Sequence, residues 1–464
     1  MINQTPTAAA LLLLALLAAS AQAQPDFRPV VLTGEQTPRL LGAAPDEVVA
    51  FAFRDGGFVP IPVQVDERFV YDLAAAYPPD LEPRDCPRRA WCRDLQGQVV
   101  GVGYADPGTH VGADPDPAFD ALDELALMLR DFGEATETDP PGVDPASRTV
   151  VEVEVEGAIR FAYLYRRTDA PKIDAGYVAY AFALESGPYL ETYDHSGRRP
   201  PILGFPYGFP SGTRVGSNPE DSHVTTAHYR LGFADRWIAD DLRLAGGPDL
   251  LDVDMIGFGL GICWRTPYTA SLSEGAFTVN RSGPVRALRG AVGFNSGPLV
   301  EQTWVFYDRM IETRSALRVH PVPGVMSYLD LSEAARGMTY TDANHSYGVP
   351  VDGAPDALRD EAPTWQAVSG PQGTLVTHHA LATGTFTPAV RSYYEDDRRP
   401  HYAACVGDDG FYGAHGFRVA ETIPNTDPRQ GEAVRLGLTR RIVVGGAVEE
   451  TVAALQTSLT VTVR

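Results

Sequence analysis

The segment from Ser282 to His320 constrains the fold of this chain more than any other stretch. Two turn signals, Ser282-Gly283-Pro284 and Asn295-Ser296-Gly297-Pro298, divide it into runs in which polar and apolar residues often alternate. Alternation bounded by turn residues is typical of antiparallel strands that bury one face and expose the other. The exposed face is predicted to carry a row of charged side chains. These are Arg286, Glu301, Arg314 and Arg318.

The composition favours the same kind of structure along the whole chain. The 464 residues include 45 glycines and 38 prolines, and convincing helical periodicity is scarce. These features favour a loop-rich all-β protein, and the length allows a large core. We predict a large antiparallel β-sandwich over residues 149–464 and a smaller β domain over 24–146, with the polar, Pro-rich segment 134–147 as the boundary.

Local patterns add four predictions. Residues 125–133 are apolar for most of their length and are predicted to form a buried strand, with a helix as the alternative. Residues 72–118 are expected to be irregular, and residues 330–372 mostly loop. Residues 234–244 could form a short helix.

The net charge restricts the classes of partner. The formal charge is −22 at pH 7, and no basic stretch is present that could neutralise phosphates. Nucleic-acid binding and attachment to anionic membrane surfaces are therefore disfavoured. Beyond the N-terminal apolar run, no stretch is long and apolar enough to span a bilayer.

The N-terminus predicts export. Ala8 to Ala19 is an apolar run, and Ala21-Gln22-Ala23 fits a signal-peptidase site, although the residues before the run lack Lys and Arg. Residues 1–23 are therefore predicted to be a signal peptide, and the protein to be secreted or periplasmic.

The four cysteines suit that oxidising environment, in which they can form two disulfides. We expect Cys86 to pair with Cys92, and Cys263 with Cys405. No C-x-x-C spacing occurs, which disfavours a metal site built from cysteines.

Three short motifs carry a resemblance. Residues 63–67 (VQVDE), residues 122–128 (LDELALM) and residues 282–286 (SGPVR) resemble motifs of secreted bacterial β proteins of unassigned function. Those proteins are similar to carbohydrate-active proteins with a galactose-mutarotase-like supersandwich, including some polysaccharide lyases. The resemblance implies a supersandwich fold and a sugar ligand, and it assigns no catalytic residue to this chain.

Sugar chemistry needs an acid or base beside an arginine that neutralises a uronate, together with an aromatic platform. The candidates for catalysis are His345, Tyr347, His378 and Arg314. The candidates for substrate binding are Arg286, Arg309, Arg318, Trp304, Arg391 and Tyr393. Hydrolysis by two carboxylates is an alternative, for which Glu301 and Glu312 are the least arbitrary pair.

No cofactor is predicted, with calcium as the alternative. An acidic cluster supplies the oxygen ligands that calcium prefers, although its spacing is not that of an EF-hand. Its members are Asp114, Asp116, Asp120, Asp123 and Glu124. The motifs of nucleotide-driven, zincin and α/β-hydrolase chemistry are missing.

Two classes of function remain open. One is a secreted carbohydrate-active enzyme, a lyase or hydrolase that acts on an acidic polysaccharide. The other is a non-catalytic extracellular protein that binds a carbohydrate or another partner.

Overall fold

The structure is a computed structural model, and it describes most of the chain. The described residues are 26–79, 99–169, 173, 176–195, 219–258, 275–294, 296–318, 321, 324–383, 386–399, 410–424 and 436–464. The predicted signal peptide and all four cysteines lie outside them, so export and disulfide pairing stay predictions.

The described part of the chain consists mainly of β-strands. The first thirteen are β1 (Pro29–Thr33), β2 (Val48–Arg54), β3 (Gly57–Ile61), β4 (Gln64–Asp66), β5 (Arg68–Asp72), β6 (Val100–Tyr104), β7 (Glu124–Met128), β8 (Thr149–Val155), β9 (Ala158–Arg166), β10 (Ala179–Ala181), β11 (Ser222–Thr225), β12 (Tyr229–Asp235) and β13 (Ile238–Leu244). The next fourteen are β14 (Leu251–Phe258), β15 (Gly275–Ser282), β16 (Ala287–Gly293), β17 (Val300–Phe306), β18 (Met310–Leu317), β19 (Val325–Leu331), β20 (Thr339–Asp342), β21 (His345–Pro350), β22 (Gln366–Gly370), β23 (Gly373–Ala382), β24 (Val390–Asp397), β25 (Phe411–Val419), β26 (Leu436–Val444) and β27 (Thr460–Val463).

Two short α-helices, α1 (Tyr189–Thr192) and α2 (Val448–Gln456), accompany the strands. No helix among the described residues is long and apolar enough to cross a membrane. The predicted all-β fold is confirmed.

A nine-stranded antiparallel sheet forms the centre of the molecule. Its strands follow the order β15-β16-β17-β18-β26-β23-β22-β20-β21. The strands predicted within Ser282–His320 are confirmed as β16, β17 and β18, which pair as neighbours in this sheet.

One face of the nine-stranded sheet packs on a second sheet and forms a sandwich. The second sheet has the order β14-β19-β25-β24. Trp304, Leu438 and Ile442 of the large sheet belong to the same apolar cluster as Leu329 and Phe417 of the smaller one. Burial of this cluster removes apolar area from water and stabilises the pair of sheets.

The opposite face of the nine-stranded sheet is covered along one end. There, Met128 of β7 clusters with Val305, Met310 and Val443 of the large sheet. All five residues of β7 are buried, so the buried strand predicted within 125–133 is confirmed. The helix α2 covers a further part of this face, where Val452 clusters with Ala367 and Val376.

A five-stranded sheet of order β27-β8-β9-β2-β3 joins chain segments from both sides of the predicted domain boundary. The segment 134–147 lies against its aromatic face. The backbone N–H of Thr136 donates to the Tyr163 hydroxyl (2.7 Å), and the Tyr165 hydroxyl donates to Asp139 (2.7 Å). The division into two domains stays a prediction.

One local prediction is wrong and two are incomplete, for a common reason. Residues 234–244 form the end of β12 and all of β13, not a helix. Residues 330–372 contain β20, β21 and β22, and residues 72–118 contain β6. Each of these strands is stabilised by hydrogen bonds to a partner strand, which local propensity does not register.

Candidate functional site

A cleft of about 400 Å³ lies between the β5–β6 hairpin and the open face of the nine-stranded sheet. This volume is within the usual range of ligand pockets. Its charged and aromatic lining residues are Arg68, Tyr71, Tyr104, Glu124, Glu301 and Arg314.

Small side chains on the sheet make room for the cleft. In the strand register, Ala316 lies opposite Gly437, which lies opposite Ala382. One row further along, Arg314 lies opposite Thr439, which lies opposite Ala380. Because side chains on one face of a sheet stand side by side, these small residues leave an open floor beside the Arg314 guanidinium.

Glu312 is held between two arginines on this face. The Arg314 guanidinium donates to Oε1 of Glu312 (2.6 Å from Nε), and the Nε of Arg441 donates to Oε2 (2.6 Å). The Glu312 side chain is 5% exposed, whereas those of Arg314 and Arg441 are 44% and 38% exposed. The carboxylate is therefore covered, while both guanidiniums reach solvent.

The ion-paired side chains around the cleft include one more arginine than carboxylate. Burial alone would raise the pKa of Glu312, but the charges of Arg314 and Arg441 outweigh burial and lower the pKa below its usual value. The Glu312 carboxyl therefore stays ionised. The ion-paired groups of the cleft and its walls comprise five arginines and four carboxylates. They are Arg68, Arg286, Arg314, Arg318 and Arg441, and Asp66, Glu124, Glu301 and Glu312.

The β5–β6 hairpin supplies two phenols to the cleft. The Tyr104 hydroxyl donates to Oε2 of Glu124 (2.8 Å), and Arg68 pairs with the other oxygen of the same carboxylate. Burial raises the pKa values of Tyr71 and Tyr104 well above their usual range. Both hydroxyls are therefore protonated hydrogen-bond donors at neutral pH.

Arg286 does not belong to an exposed row, and this prediction is wrong. Its side chain is fully buried. Its Nε donates to Oδ2 of Asp66 (2.8 Å) and its Nη2 to Oε2 of Glu124 (2.6 Å). The side-chain oxygen of Gln64 accepts from the backbone N–H groups of Val285 (3.0 Å) and Arg286 (2.9 Å).

This buried cluster explains the three motifs that carry the resemblance. Gln64 and Asp66 come from the first motif, Glu124 from the second, and Gly283 and Arg286 from the third. A side chain at Gly283 would place its Cβ 2.3 Å from the Gln64 amide, so only glycine fits there. The motifs thus fasten β4 and β7 to the start of β16, and their role here is structural.

His345 is enclosed by hydrogen bonds. Its Nδ1 lies 3.1 Å from Oδ1 of Asp342, and its Nε2 accepts from the backbone N–H of Arg359 (3.0 Å). The residue is 3% exposed. Because its acceptor nitrogen is already used, His345 is poorly placed to take a proton from a ligand.

Tyr347 is 74% exposed, but it lies on β21, the edge strand of the nine-stranded sheet. Five strand spacings, about 24 Å, separate that strand from β18 and Arg314. The structure therefore does not bring His345 and Tyr347 together with the cleft.

His378 is better placed than His345. It lies opposite Arg441 in the register of β23 and β26, on the same face as Arg314 and one row from the cleft floor. Burial, followed by the charge of Arg441, lowers the pKa of His378. Its imidazole is therefore neutral at neutral pH and can accept a proton.

The other predicted binding residues lie apart from the cleft, except Arg318. Trp304 is buried in the core between the sheets, and Arg309 donates to the carbonyl oxygens of Val444 and Gly445. Tyr393 is buried, and its hydroxyl donates to Glu395 (2.9 Å). Arg391 is exposed, but on β24 of the other sheet. Arg318 pairs with Glu301 (2.8 Å) at the cleft.

Most oxygens of the acidic cluster predicted as a calcium site accept hydrogen bonds within the protein, whereas the buried Oδ2 of Asp114 has no hydrogen-bond partner among the described residues. Oδ1 of Asp114 accepts from the backbone of Asp116, and the two oxygens of Asp123 accept from the backbones of Arg68 and Asp120. Glu124 is paired with arginines. Within the described residues, no three or more His, Cys, Asp or Glu side chains form a group that could hold a metal ion. The calcium prediction gains no support.

A larger cavity, of about 570 Å³, lies between β2, the β3–β4 segment and the turn Ser282–Pro284. Its lining combines apolar side chains with the charged residues Asp46, Asp66, Arg167 and Arg281. We favour the cleft as the site because a ligand-sized volume lies beside the Arg314 guanidinium, and the neutral His378 lies one row away on the same face.

Four residues of the site were missed in the sequence: Arg68, Tyr71, Tyr104 and Arg441. The alternation in β26 (LGLTRRIVV) places Arg441 on one face of a strand. It does not show that this face adjoins Glu312, because the two residues are 129 positions apart.

The fold and the site define an all-β sandwich-type protein with a charged cleft on its largest sheet. No protein-family model and no curated protein sequence matches the chain. Among solved structures, the chain is similar to heparan sulfate lyase HepC from Pedobacter heparinus, at 7% identity and a TM-score of 0.30. That match covers 49% of this chain and 34% of the lyase, so the chain spans about a third of the lyase's length.

Two smaller proteins match over nearly their whole length. A candidate mutarotase from Salmonella typhimurium shares 11% identity at a TM-score of 0.30, over 51% of this chain and 96% of that one. A candidate aldose 1-epimerase from Escherichia coli K12 shares 9% identity at a TM-score of 0.23, over 48% and 98%. TM-scores this low support no function for this chain.

Proposed function

We propose that this protein binds an acidic saccharide in the cleft between the β5–β6 hairpin and the nine-stranded sheet. One observation carries the proposal. Glu312 is paired with two arginines, so its surroundings keep one uncompensated positive charge in a chain of net charge −22. Guanidinium forks suit carboxylates, and both guanidiniums reach solvent. On the strength of the predicted signal peptide, we also propose that the protein acts after export.

Catalysis on the bound saccharide is the second candidate, and His378 favours it. A neutral imidazole beside Arg441 could remove the proton next to a uronate carboxylate while the arginines neutralise that carboxylate. Binding without any turnover would instead assign the protein to the non-catalytic class.

The test measures binding and turnover on the same panel. Oligosaccharides of alginate and polygalacturonate are titrated by calorimetry, with neutral dextran oligosaccharides as the comparison. Turnover is followed by the absorbance of new unsaturated ends and by reducing sugar. We expect the acidic oligosaccharides to bind and the neutral ones to fail.

Arg314→Gln removes the excess charge and leaves Glu312 paired with Arg441. We expect a ten- to hundredfold loss of affinity, about what one charge-assisted contact contributes. Arg336→Gln is the matched control, because the Arg336 side chain is similarly exposed (46%) and pairs with Glu333 on the surface. Equal losses in both variants would contradict the proposal. Loss of turnover but not of binding in His378→Gln would support catalysis.

A further inference from the structure

We infer that the saccharide recognised by the cleft carries an aliphatic ester, such as an O-acetyl group, that packs on the wall formed by β5 and β6. This inference rests on the proposed function and specifies its ligand. It assigns a role to three valines that the acidic-saccharide proposal leaves without one.

The wall consists of the most exposed valines of the hairpin. Val70, Val100 and Val102 are 55%, 52% and 41% exposed. Val102 lines the cleft, and Val70 lies directly opposite it in the register of the hairpin. Since directly opposed residues share a face, Val70 and Val102 lie beside the pair of Arg68 and Tyr104 on one face of the hairpin. Val100 follows on the same face, opposite Asp72.

This arrangement differs from an ordinary sugar-binding platform. Beside the phenols of Tyr71 and Tyr104, the most exposed part of the wall is aliphatic, whereas Trp304 and Tyr393, the aromatic residues predicted to bind sugar, are buried elsewhere. Exposed apolar side chains grouped on one face commonly mark a contact surface. A ligand that places its carboxylate on Arg314 and an acyl group on Val102 would satisfy both the charged floor and the apolar wall.

The charged floor of the cleft excludes a purely apolar ligand, even though the valine wall is apolar. Such a ligand would cover the guanidiniums of Arg314 and Arg441 without pairing them, which is costly. A fully polar ligand would leave the valines in contact with water. The acylated uronate is the ligand class that complements both surfaces.

The test uses one ligand preparation in two states. An O-acetylated uronate oligosaccharide and the same oligosaccharide after mild alkaline deacetylation are titrated against the full chain. We expect the acetylated form to bind about tenfold more tightly. In Val102→Thr and Val70→Thr, which keep the side-chain volume, we expect the preference for the acetylated form over the deacetylated form to fall to about twofold.

Val461→Thr is the control, because Val461 is also exposed (37%) but lies on β27, in another sheet. It should keep the full preference. Equal affinity of the unmodified protein for both forms would overturn this inference and leave the proposed function standing. Binding of neither form would overturn both. Loss of the preference in Val461→Thr as well would show that the valine wall is not its source.

Discussion

Two arginines show how burial decides the role of a side chain. The Arg286 guanidinium is enclosed by Asp66 and Glu124, so its charge is neutralised and its donors are used inside the protein. Arg314 shares Glu312 with a second arginine, and nearly half of its side chain is exposed. The first arginine therefore holds sheets together, and the second is available to a ligand.

Removal of Arg286 is expected to destabilise the fold strongly. Arg286→Met leaves the Asp66 carboxylate buried without its cation and Glu124 with Arg68 alone. Removing one partner of a buried ion pair typically costs about 3–5 kcal/mol of unfolding free energy. Arg336→Met, which breaks an exposed pair, should cost no more than about 1 kcal/mol. Urea denaturation of both variants measures the difference. Similar stabilities for the two variants would contradict the structural role given to Arg286.

The element that shapes the cleft is the β5–β6 hairpin, which pairs with no other strand among the described residues. Its position depends on side chains that anchor it to the core. Tyr71 and Leu73 belong to the main apolar cluster. The Tyr71 ring passes close to the backbone of Gly103, where a Cβ would lie 2.4 Å from Cε1 of the ring.

Gly103→Ala is therefore expected to displace Tyr71 and to lower the unfolding free energy by about 1–3 kcal/mol. It should also weaken saccharide binding, because Tyr71 lines the cleft. Gly101→Ala is the matched control on the same strand, since no atom lies within 4 Å of its added Cβ. Thermal melts and titrations of both variants test this packing. Equal behaviour would show that the ring does not rest on Gly103.

How well each feature could be predicted depends on how far apart in the sequence the interacting residues are. Alternation is local, so the strands of the Ser282–His320 segment could be recognised in the sequence. The burial of Arg286 depends on Asp66 and Glu124, which are 220 and 162 positions away. The site likewise depends on the pairing of β18 with β26, which brings Arg441 to Glu312. Single-sequence patterns carry no information about such pairings. Arg314 and His378 could therefore be proposed as site residues, but the residues that surround them in the fold could not be predicted.

At the scale of the whole molecule, buried histidines and carboxyls make stability depend on pH in opposite directions. Burial lowers the pKa of His415 to about 4, so the unfolded state takes up its proton first. Its stabilising contribution is full above pH 6.5 and is lost as pH falls towards 4. Burial raises the pKa of Asp123 to about 6, so its contribution is present at low pH and is lost as pH rises through 6.

Two variants separate these contributions. Between pH 4.5 and about 6, His415→Gln should reduce the slope of unfolding free energy against pH by up to about 1.4 kcal/mol per unit. Asp123→Asn should change the slope in the opposite sense over the same range. Chemical denaturation at several pH values gives both slopes, whatever the overall stability of each variant. If the slopes of unfolding free energy against pH in both variants match that of the unmodified protein, the pKa shifts assigned to His415 and Asp123 are wrong.

The most direct test of the central claim is a crystal structure of the protein soaked with a short uronate oligosaccharide. Density for the sugar is expected between the β5–β6 hairpin and the nine-stranded sheet, with a carboxylate on Arg314 or Arg441. Density in the cavity beside Ser282–Pro284, or an empty cleft at saturating ligand, would contradict the claim.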